Sequence, residues 1–272
     1  MNKMSRMQEL LEIMATLRDP KNGCPWDKKQ TFNSIIPYTI EETFETVDAI
    51  ERQNWGDVRD ELGDLLFQIV FYSQLGKEQG DFEFDDVVGA ICDKLVRRHP
   101  HVFGEKDADG NPLQAADWEG IKAQERAAKA EPDAELSILD DVPTALPALG
   151  RAAKLQKRCA SVGFDWDAIG PVADKVQEEL EEVMEEALMV NVKQARVDEE
   201  MGDLLFSVVN LARHVGTNPE KALRQANLKF ENRFRQIEMK LRENGKNLQE
   251  SQQDELEKLW QQVKCDEGNK PV

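Results

Sequence analysis

The chain has 272 residues, with 35 Lys and Arg against 53 Asp and Glu, a formal net charge of −18. That length can bury one large core or two ordinary ones, and the charge argues against a nucleic-acid backbone binder or an anionic-membrane binder, either of which needs a basic face. No run approaches the ~18 apolar residues of a membrane span, and the four scattered cysteines (Cys24, Cys92, Cys159, Cys265) form no Cys-x-x-Cys pair, so neither a zinc site nor a disulfide framework is expected.

Helix formers dominate throughout, and alternating Val- or Thr-rich runs are scarce, so the chain reads as all-α. The first 17 residues, MNKMSRMQELLEIMATL, have the pattern of an amphipathic helix and lack the apolar core of a signal peptide, so a reduced, cytoplasmic location is expected. Cys24-Pro25-Trp26-Asp27 then precedes a helix carrying Ile-Glu-Glu-Thr-Phe-Glu at 40–45, a polar stretch Glu51-Arg52-Gln53-Asn54, and Asp-Glu-Leu-Gly-Asp-Leu-Leu-Phe at 60–67. Lys94 and Arg98 follow one turn apart, then a Gly-, Asp- and Asn-rich loop at 104–112 and Trp118-x-x-Ile-Lys.

The second half repeats the first. Cys159 and Phe164-Asp165-Trp166 precede Gln-Glu-Glu-Leu-Glu-Glu at 177–182 and Glu-Glu-Met-Gly-Asp-Leu-Leu-Phe at 199–206; Lys229 and Arg233, then Trp260-x-x-Val-Lys, close the unit. A near-constant offset between matching residues is the mark of a duplicated unit. Pro132, Pro143 and Pro147 interrupt any helix between the copies. The expected organisation is therefore a helical domain over 1–129, a Pro-containing linker over 130–150, and a second helical domain over 151–272.

At 100° per residue, Val176, Leu180, Val183 and Ala187 form an apolar stripe, and Glu179, Glu182 and Glu186 run along its edge. On the next helix, Met201, Leu204, Val208 and Leu211 form the stripe, with Glu200 and Asp203 on the corresponding border. Glu182 and Glu200 share a midpoint at residue 191, as do Glu179 and Asp203. A reversal at Asn191 would bring the four carboxylates level across a hairpin. In the first half, Glu45 with Glu61 and Glu42 with Asp64 both centre on residue 53. Such carboxylates repel one another unless protonated or bound to cations. One stretch alone is more readily a solvated acidic face; two stretches paired across a turn, and then duplicated, point to a hard-cation site. Oxygen donors suit Mg²⁺ or Mn²⁺, and the three histidines (His99, His101, His214) do not supply the Glu-x-x-His spacing of a di-iron bundle.

Residues 224–242 reverse the sign, with six basic and two acidic side chains, while Lys175 and Arg196 each lie one turn before a candidate ligand. Cations around an acidic metal site suit a polyphosphate. No P-loop or Gly-x-Gly-x-x-Gly turn occurs. In the first half, Tyr38 and Asp57 replace the cations equivalent to Lys175 and Arg196, so catalysis is expected mainly in the second half.

The repeated Glu-Glu-x-x-Glu and Glu-x-x-Asp signature, here Glu41-Glu42-x-x-Glu45 with Glu61-x-x-Asp64 and Glu178-Glu179-x-x-Glu182 with Glu200-x-x-Asp203, resembles the MazG family of all-α nucleoside triphosphate pyrophosphohydrolases. Residues 23–27, 97–103 and 162–166 resemble the two-domain members. The resemblance implies Mg²⁺-dependent hydrolysis of a nucleoside triphosphate to the monophosphate and pyrophosphate by a homodimer. It implies metal ligands at Glu179, Glu182, Glu200 and Asp203, with Glu42, Glu45, Glu61 and Asp64 as first-half counterparts. It also implies nucleotide contacts at Lys175, Glu179, Arg196, Glu199, Lys229, Arg233 and Trp260. Glu178 or Glu199 would position the attacking water. A pyrophosphohydrolase restricted to one nucleotide, such as dUTP or phosphoribosyl-ATP, and a non-catalytic helical scaffold are the alternatives.

Overall fold

A computed structural model of the protein describes residues 5–106, 120–121, 125 and 137–268. The chain divides into two compact units, residues 1–125 and 126–272, and the elements of both are helical.

In the first unit, α1 (Arg6–Leu17) starts at a Ser5–Gln8 capping box, in which each side chain satisfies the other residue's backbone N–H. Helix α2 (Phe32–Glu51) starts with the same device at Thr31 and Ser34. Helix α3 (Trp55–Gln79) is capped by Asn54, whose side chain accepts the Gly56 and Asp57 N–H groups, and ends at Gly80 with φ +79°, a left-handed stop that costs glycine little. Helices α4 (Phe84–Arg98) and α5 (Pro100–Phe103) follow. Helices α2 and α3 form an antiparallel hairpin whose turn includes Gln53 at φ +57°. Met14, Ile35, Val70, Phe71 and Leu75 make the core that joins α1 to this hairpin. Arg18 closes it from above: it pairs with Glu78 at 2.6 Å, donates to the Asp27 carbonyl at 2.5 Å and lies over the Phe71 ring.

The second unit repeats the hairpin. Helix α6 (Ala148–Ala160) begins directly after Pro147, inside the 130–150 segment assigned to a linker from sequence. A proline lacking an N–H suits the position that opens a helix, so the third proline starts an element instead of extending a loop. Helix α7 (Ile169–Ala187) and α8 (Gln194–His214) are the hairpin pair; α9 (Pro219–Glu243) and α10 (Gln253–Gly268) form a second pair. Gln156 donates to the Phe206 carbonyl at 2.8 Å and ties α6 to α8. Ile237, Leu241 and Val263 are the core between α9 and α10, with Trp260 packed at its edge.

The helical wheel is only partly realised. Val172, Val183 and Val209 are buried, but Leu180 and Val208 of the expected apolar stripes remain 48% and 43% exposed. A two-helix hairpin covers only one side of each helix, so the other apolar flank stays open. Trp118 and Lys122 of the first-half echo and residues 130–136 of the expected linker lie outside the described residues.

Candidate active site

Both hairpins turn where the carboxylate midpoints place the reversal. Helix α7 ends at Ala187 and α8 begins at Gln194, bracketing Asn191; α2 ends at Glu51 and α3 begins at Trp55, bracketing Gln53. Carboxylate oxygens of Glu179, Glu182 and Glu200 consequently lie within 4.8 Å of one another, as do those of Glu42, Glu45 and Glu61. Asp203 and Asp64 are exposed and stand outside these two groups. The structure thus gathers three of the four expected carboxylates in each half.

The two groups differ in their surroundings. Glu179 and Glu200 are 5% and 8% exposed. Burying a charge is costly unless it is paired, and here each has a cation one turn before it. Lys175 Nζ lies 2.6 Å from Glu179 and 2.8 Å from Glu178. Arg196 lies 2.5 Å from both Glu199 and Glu200 and reaches Glu186 at 3.4 Å. These carboxylates raise the Lys175 ammonium above its ordinary value, with the Glu178 and Glu179 hydrogen bonds as the main causes. Removal from water, then the Glu179 and Glu200 charges, raises the Glu182 carboxyl, with Lys175 acting in the opposite sense.

Among the described residues, the first-half group has no cation at the equivalent positions. Tyr38 stands in the place of Lys175 and packs edge-on against Trp26 at 5.6 Å. Asp57, in the place of Arg196, is itself an acid and pairs with Arg52 at 3.1 Å. Burial, then Asp64, Glu45 and Glu61, pushes the Glu42 carboxyl up; removal from water, then Glu45 and Asp64, does the same to Glu61.

Lys229, Arg233 and Trp260 form a separate cluster on the α9–α10 pair. Arg233 lies over the Trp260 ring at 5.7 Å, and Trp260 meets Phe230 at 5.4 Å. Lys229 is exposed one turn from Arg233. Among the described residues, no hydrogen bond, ion pair or ring contact joins this cluster to the Glu179 group. Expected nucleotide contacts on α7 and α8 are therefore assembled, while those on α9 and α10 are brought together only with one another.

Sequence reasoning missed two further fixtures. Asp165, before α7, pairs with Arg213 at 2.5 Å and meets His214 at 2.9 Å at the far end of α8. These contacts, Arg213 foremost, hold the Asp165 carboxyl down at about 2. Glu267 pairs with Arg233 at 2.7 Å. Position in the internal repeat was the available signal for Glu267; Asp165 carried none beyond its place in the Phe-Asp-Trp echo.

The donor set suits a hard divalent cation. All its ligand atoms are oxygens, and Glu179 Oε2 is buried with no hydrogen-bond partner. Buried polar atoms are nearly always satisfied, so this oxygen has the character of a ligand held ready.

An all-α protein with one carboxylate centre per helical hairpin, duplicated, is the class that fold and site define. The sequence model of the MazG nucleotide pyrophosphohydrolase domain matches the chain twice, over residues 30–103 and 172–243. The chain is 56% identical over 264 residues to the nucleoside triphosphate pyrophosphohydrolase of Escherichia coli K12, spanning 97% of this chain and 99% of that one. It is 42% identical over 258 residues to the nucleoside triphosphate pyrophosphohydrolase/pyrophosphatase MazG of Thermotoga maritima, spanning 94% and 95%. Similarity also extends to the nucleoside triphosphate pyrophosphohydrolase of Mycobacterium tuberculosis, at 34% identity over 161 residues, 58% of this chain and 47% of that one. The chain belongs to the MazG nucleotide pyrophosphohydrolase family, and it carries the domain twice.

Proposed function

We propose that the protein hydrolyses ribo- and deoxyribonucleoside triphosphates of broad base specificity to nucleoside monophosphate and pyrophosphate, using Mg²⁺ or Mn²⁺, chiefly at the second-half centre. The observation that carries the reading is the juxtaposition of three carboxylates, one with a buried unpartnered oxygen, and two cations on a single hairpin. The family and the names of its relatives supply the reaction class.

Glu179, Glu182 and Glu200, joined by Asp203, would hold the ion. Bound there, the ion supplies Lewis acidity toward phosphate oxygens. Lys175 and Arg196 offset charge on the substrate's phosphates and on the pyrophosphate as it leaves. Water attacks the α-phosphorus, the bond to the bridging α–β oxygen breaks, and pyrophosphate departs. Glu178 and Glu199 are the candidates to take the water's proton; each is exposed on the outer side of its cation. Substrate displaces part of the Lys175 and Arg196 pairing, freeing carboxylate oxygens as phosphate takes their place. Lys229, Arg233 and Trp260 would complete the nucleotide site.

The protein acts as a homodimer in this reading, because the open apolar flanks of α7 and α8, with Leu180, Met184, Leu205 and Val208 between 43% and 50% exposed, need a partner surface. A cytoplasmic nucleotide-pool role, with no nucleic-acid or membrane partner, fits the acidic charge; among the described residues no helix is long and apolar enough to cross a membrane.

The test is pyrophosphate release from a panel of nucleoside triphosphates, with Mg²⁺ and with EDTA. Broad release abolished by EDTA and by Glu182→Ala supports the reading. Release from one nucleotide alone favours a dedicated enzyme, and no metal-dependent release favours a scaffold.

A further inference from the structure

Two arginines at equivalent places in the duplication are gripped in the same way. Arg98 lies four residues after Lys94, and Arg233 four residues after Lys229. Arg98 presents Nε and Nη2 to Glu125 Oε2 at 3.1 and 2.6 Å. Arg233 presents Nε and Nη2 to Glu267 Oε2 at 2.8 and 2.7 Å. Both carboxylates sit seven residues after a tryptophan, in Trp118-Glu-Gly-Ile-Lys-Ala-Gln-Glu125 and Trp260-Gln-Gln-Val-Lys-Cys-Asp-Glu267. The same donor atoms and the same register recur in two copies of one unit, which identifies a built feature.

The fork has a directional consequence. A guanidinium gripped along its Nε–Nη2 edge is fixed in plane and rotation, and its remaining edge is the one that meets phosphate oxygens. In the second unit this plane is also set against Trp260 at 5.7 Å. Arg233 and Glu267 are 18% and 29% exposed at their side chains, so the pair is largely withdrawn from solvent and its geometry is not that of a loose surface contact. Among the described residues, Arg233 Nη1 donates to no protein group. The carboxylate in the first unit is held by both Arg97 and Arg98, at 2.7 and 2.6 Å, and lies well below its ordinary range for that reason. The residue before Arg233 in the second unit is Asn232, where the first unit has Arg97.

The geometry points to Glu267 as a positioning residue of the second-half nucleotide site, which orients Arg233 across the face of Trp260 so that its free edge meets the phosphates of a nucleoside triphosphate. The inference rests on the reading of Arg233 as a substrate contact. Glu267 itself touches neither substrate nor metal. Its carboxylate acts only through Arg233.

The test is steady-state hydrolysis of ATP with Mg²⁺ by the full chain, for Arg233→Ala, Glu267→Ala, Glu267→Gln and the double variant Arg233→Ala/Glu267→Ala, with a thermal midpoint for each; Arg233→Lys replaces the alanine variant where that one does not fold. Glu267→Ala is expected to raise KM about tenfold with kcat held within about twofold. Glu267→Gln, which keeps an acceptor oxygen, recovers most of the loss. The double variant is no worse than Arg233→Ala alone, since both act through one contact. Unchanged KM in Glu267→Ala, beside a raised KM in Arg233→Ala, overturns the proposal and leaves the nucleotide site standing, whether or not the midpoint falls. A lowered KM in both Glu267 variants also overturns it, because the carboxylate then competes with phosphate. Unchanged KM in Arg233→Ala or Arg233→Lys overturns the reading beneath it as well.

Discussion

Replacing Lys175 by methionine isolates the electrostatics of the second-half centre, because the substitution keeps most of the aliphatic stem and removes only the charge. Lys175 is the cation nearest Glu179, at 2.6 Å, and the Glu179 side chain is 7% exposed. Without it, Glu179 faces Glu182 and Glu200 with no compensating charge on its own helix. Carboxylates within 4.8 Å of one another repel by roughly 3 kcal/mol or more at an effective dielectric near 20. Deleting one partner of a fully buried pair costs about 3–5 kcal/mol; Lys175 is one-third exposed, and solvent screening reduces the expected cost to about 2 kcal/mol. The unit comprises residues 126–272, a size at which about 2 kcal/mol lowers a thermal midpoint by about 4–8 °C. Divalent cation should reverse the effect, since the vacated charge leaves a more anionic donor set. Differential scanning fluorimetry of Lys175→Met and wild type, in EDTA and in a Mg²⁺ series, reads both quantities. A drop in EDTA that Mg²⁺ narrows fits the account. A midpoint equal to wild type in EDTA, or a drop indifferent to Mg²⁺, refutes it.

Other outcomes follow from the same geometry. Glu42→Ala and Glu45→Ala should reduce triphosphate hydrolysis less than Glu179→Ala and Glu182→Ala, because Tyr38 and Asp57 leave the first-half group without its cations; the reverse order of kcat/KM would place catalysis in the first half. Asp165→Asn should destabilise the second unit by about 1–2 kcal/mol at neutral pH, measured by urea unfolding. The Asp165 carboxyl is depressed to about 2 by Arg213 and His214, so its contribution is complete above the ordinary aspartate value near 3.8, is lost as pH falls toward 2, and is about half gone by pH 3. A difference between variant and wild type that is the same at pH 7 and pH 3 contradicts the pairing. Leu180→Arg should convert the proposed homodimer to monomer by light scattering, since Leu180 lies on an open apolar flank; a mass unchanged from a wild-type dimer would place the interface elsewhere, and a monomeric wild type would contradict the homodimer.

The duplication and the hairpin reversals were legible because they rest on counting. Equal midpoints at residues 53 and 191 follow from spacing alone, and the helices turn there. The burial of Glu179 and Glu200 was less visible, because a helical wheel places a residue at the border of a stripe without saying which neighbour covers it. The same wheel put Leu180 in the core, and the structure leaves it half exposed, because a period specifies an apolar face and not the element that meets it. The exclusion of Asp64 and Asp203 from the tight groups depends on where each side chain settles, which spacing does not encode. Glu267 sits in the register of a repeated tryptophan motif, yet its link to Arg233 required the α9–α10 pairing. Contacts across many residues, such as Asp165 with Arg213, have no periodic trace at all.

Hydrolysis of ATP in ¹⁸O-labelled water with Mg²⁺, compared between the wild-type chain and Glu182→Ala, tests the central claim most directly. Attack on the α-phosphorus at the second-half carboxylate centre predicts ¹⁸O in AMP, unlabelled pyrophosphate, and loss of both products in Glu182→Ala. Label in inorganic phosphate with ADP as the other product, or labelled AMP formed equally well by Glu182→Ala, would contradict it.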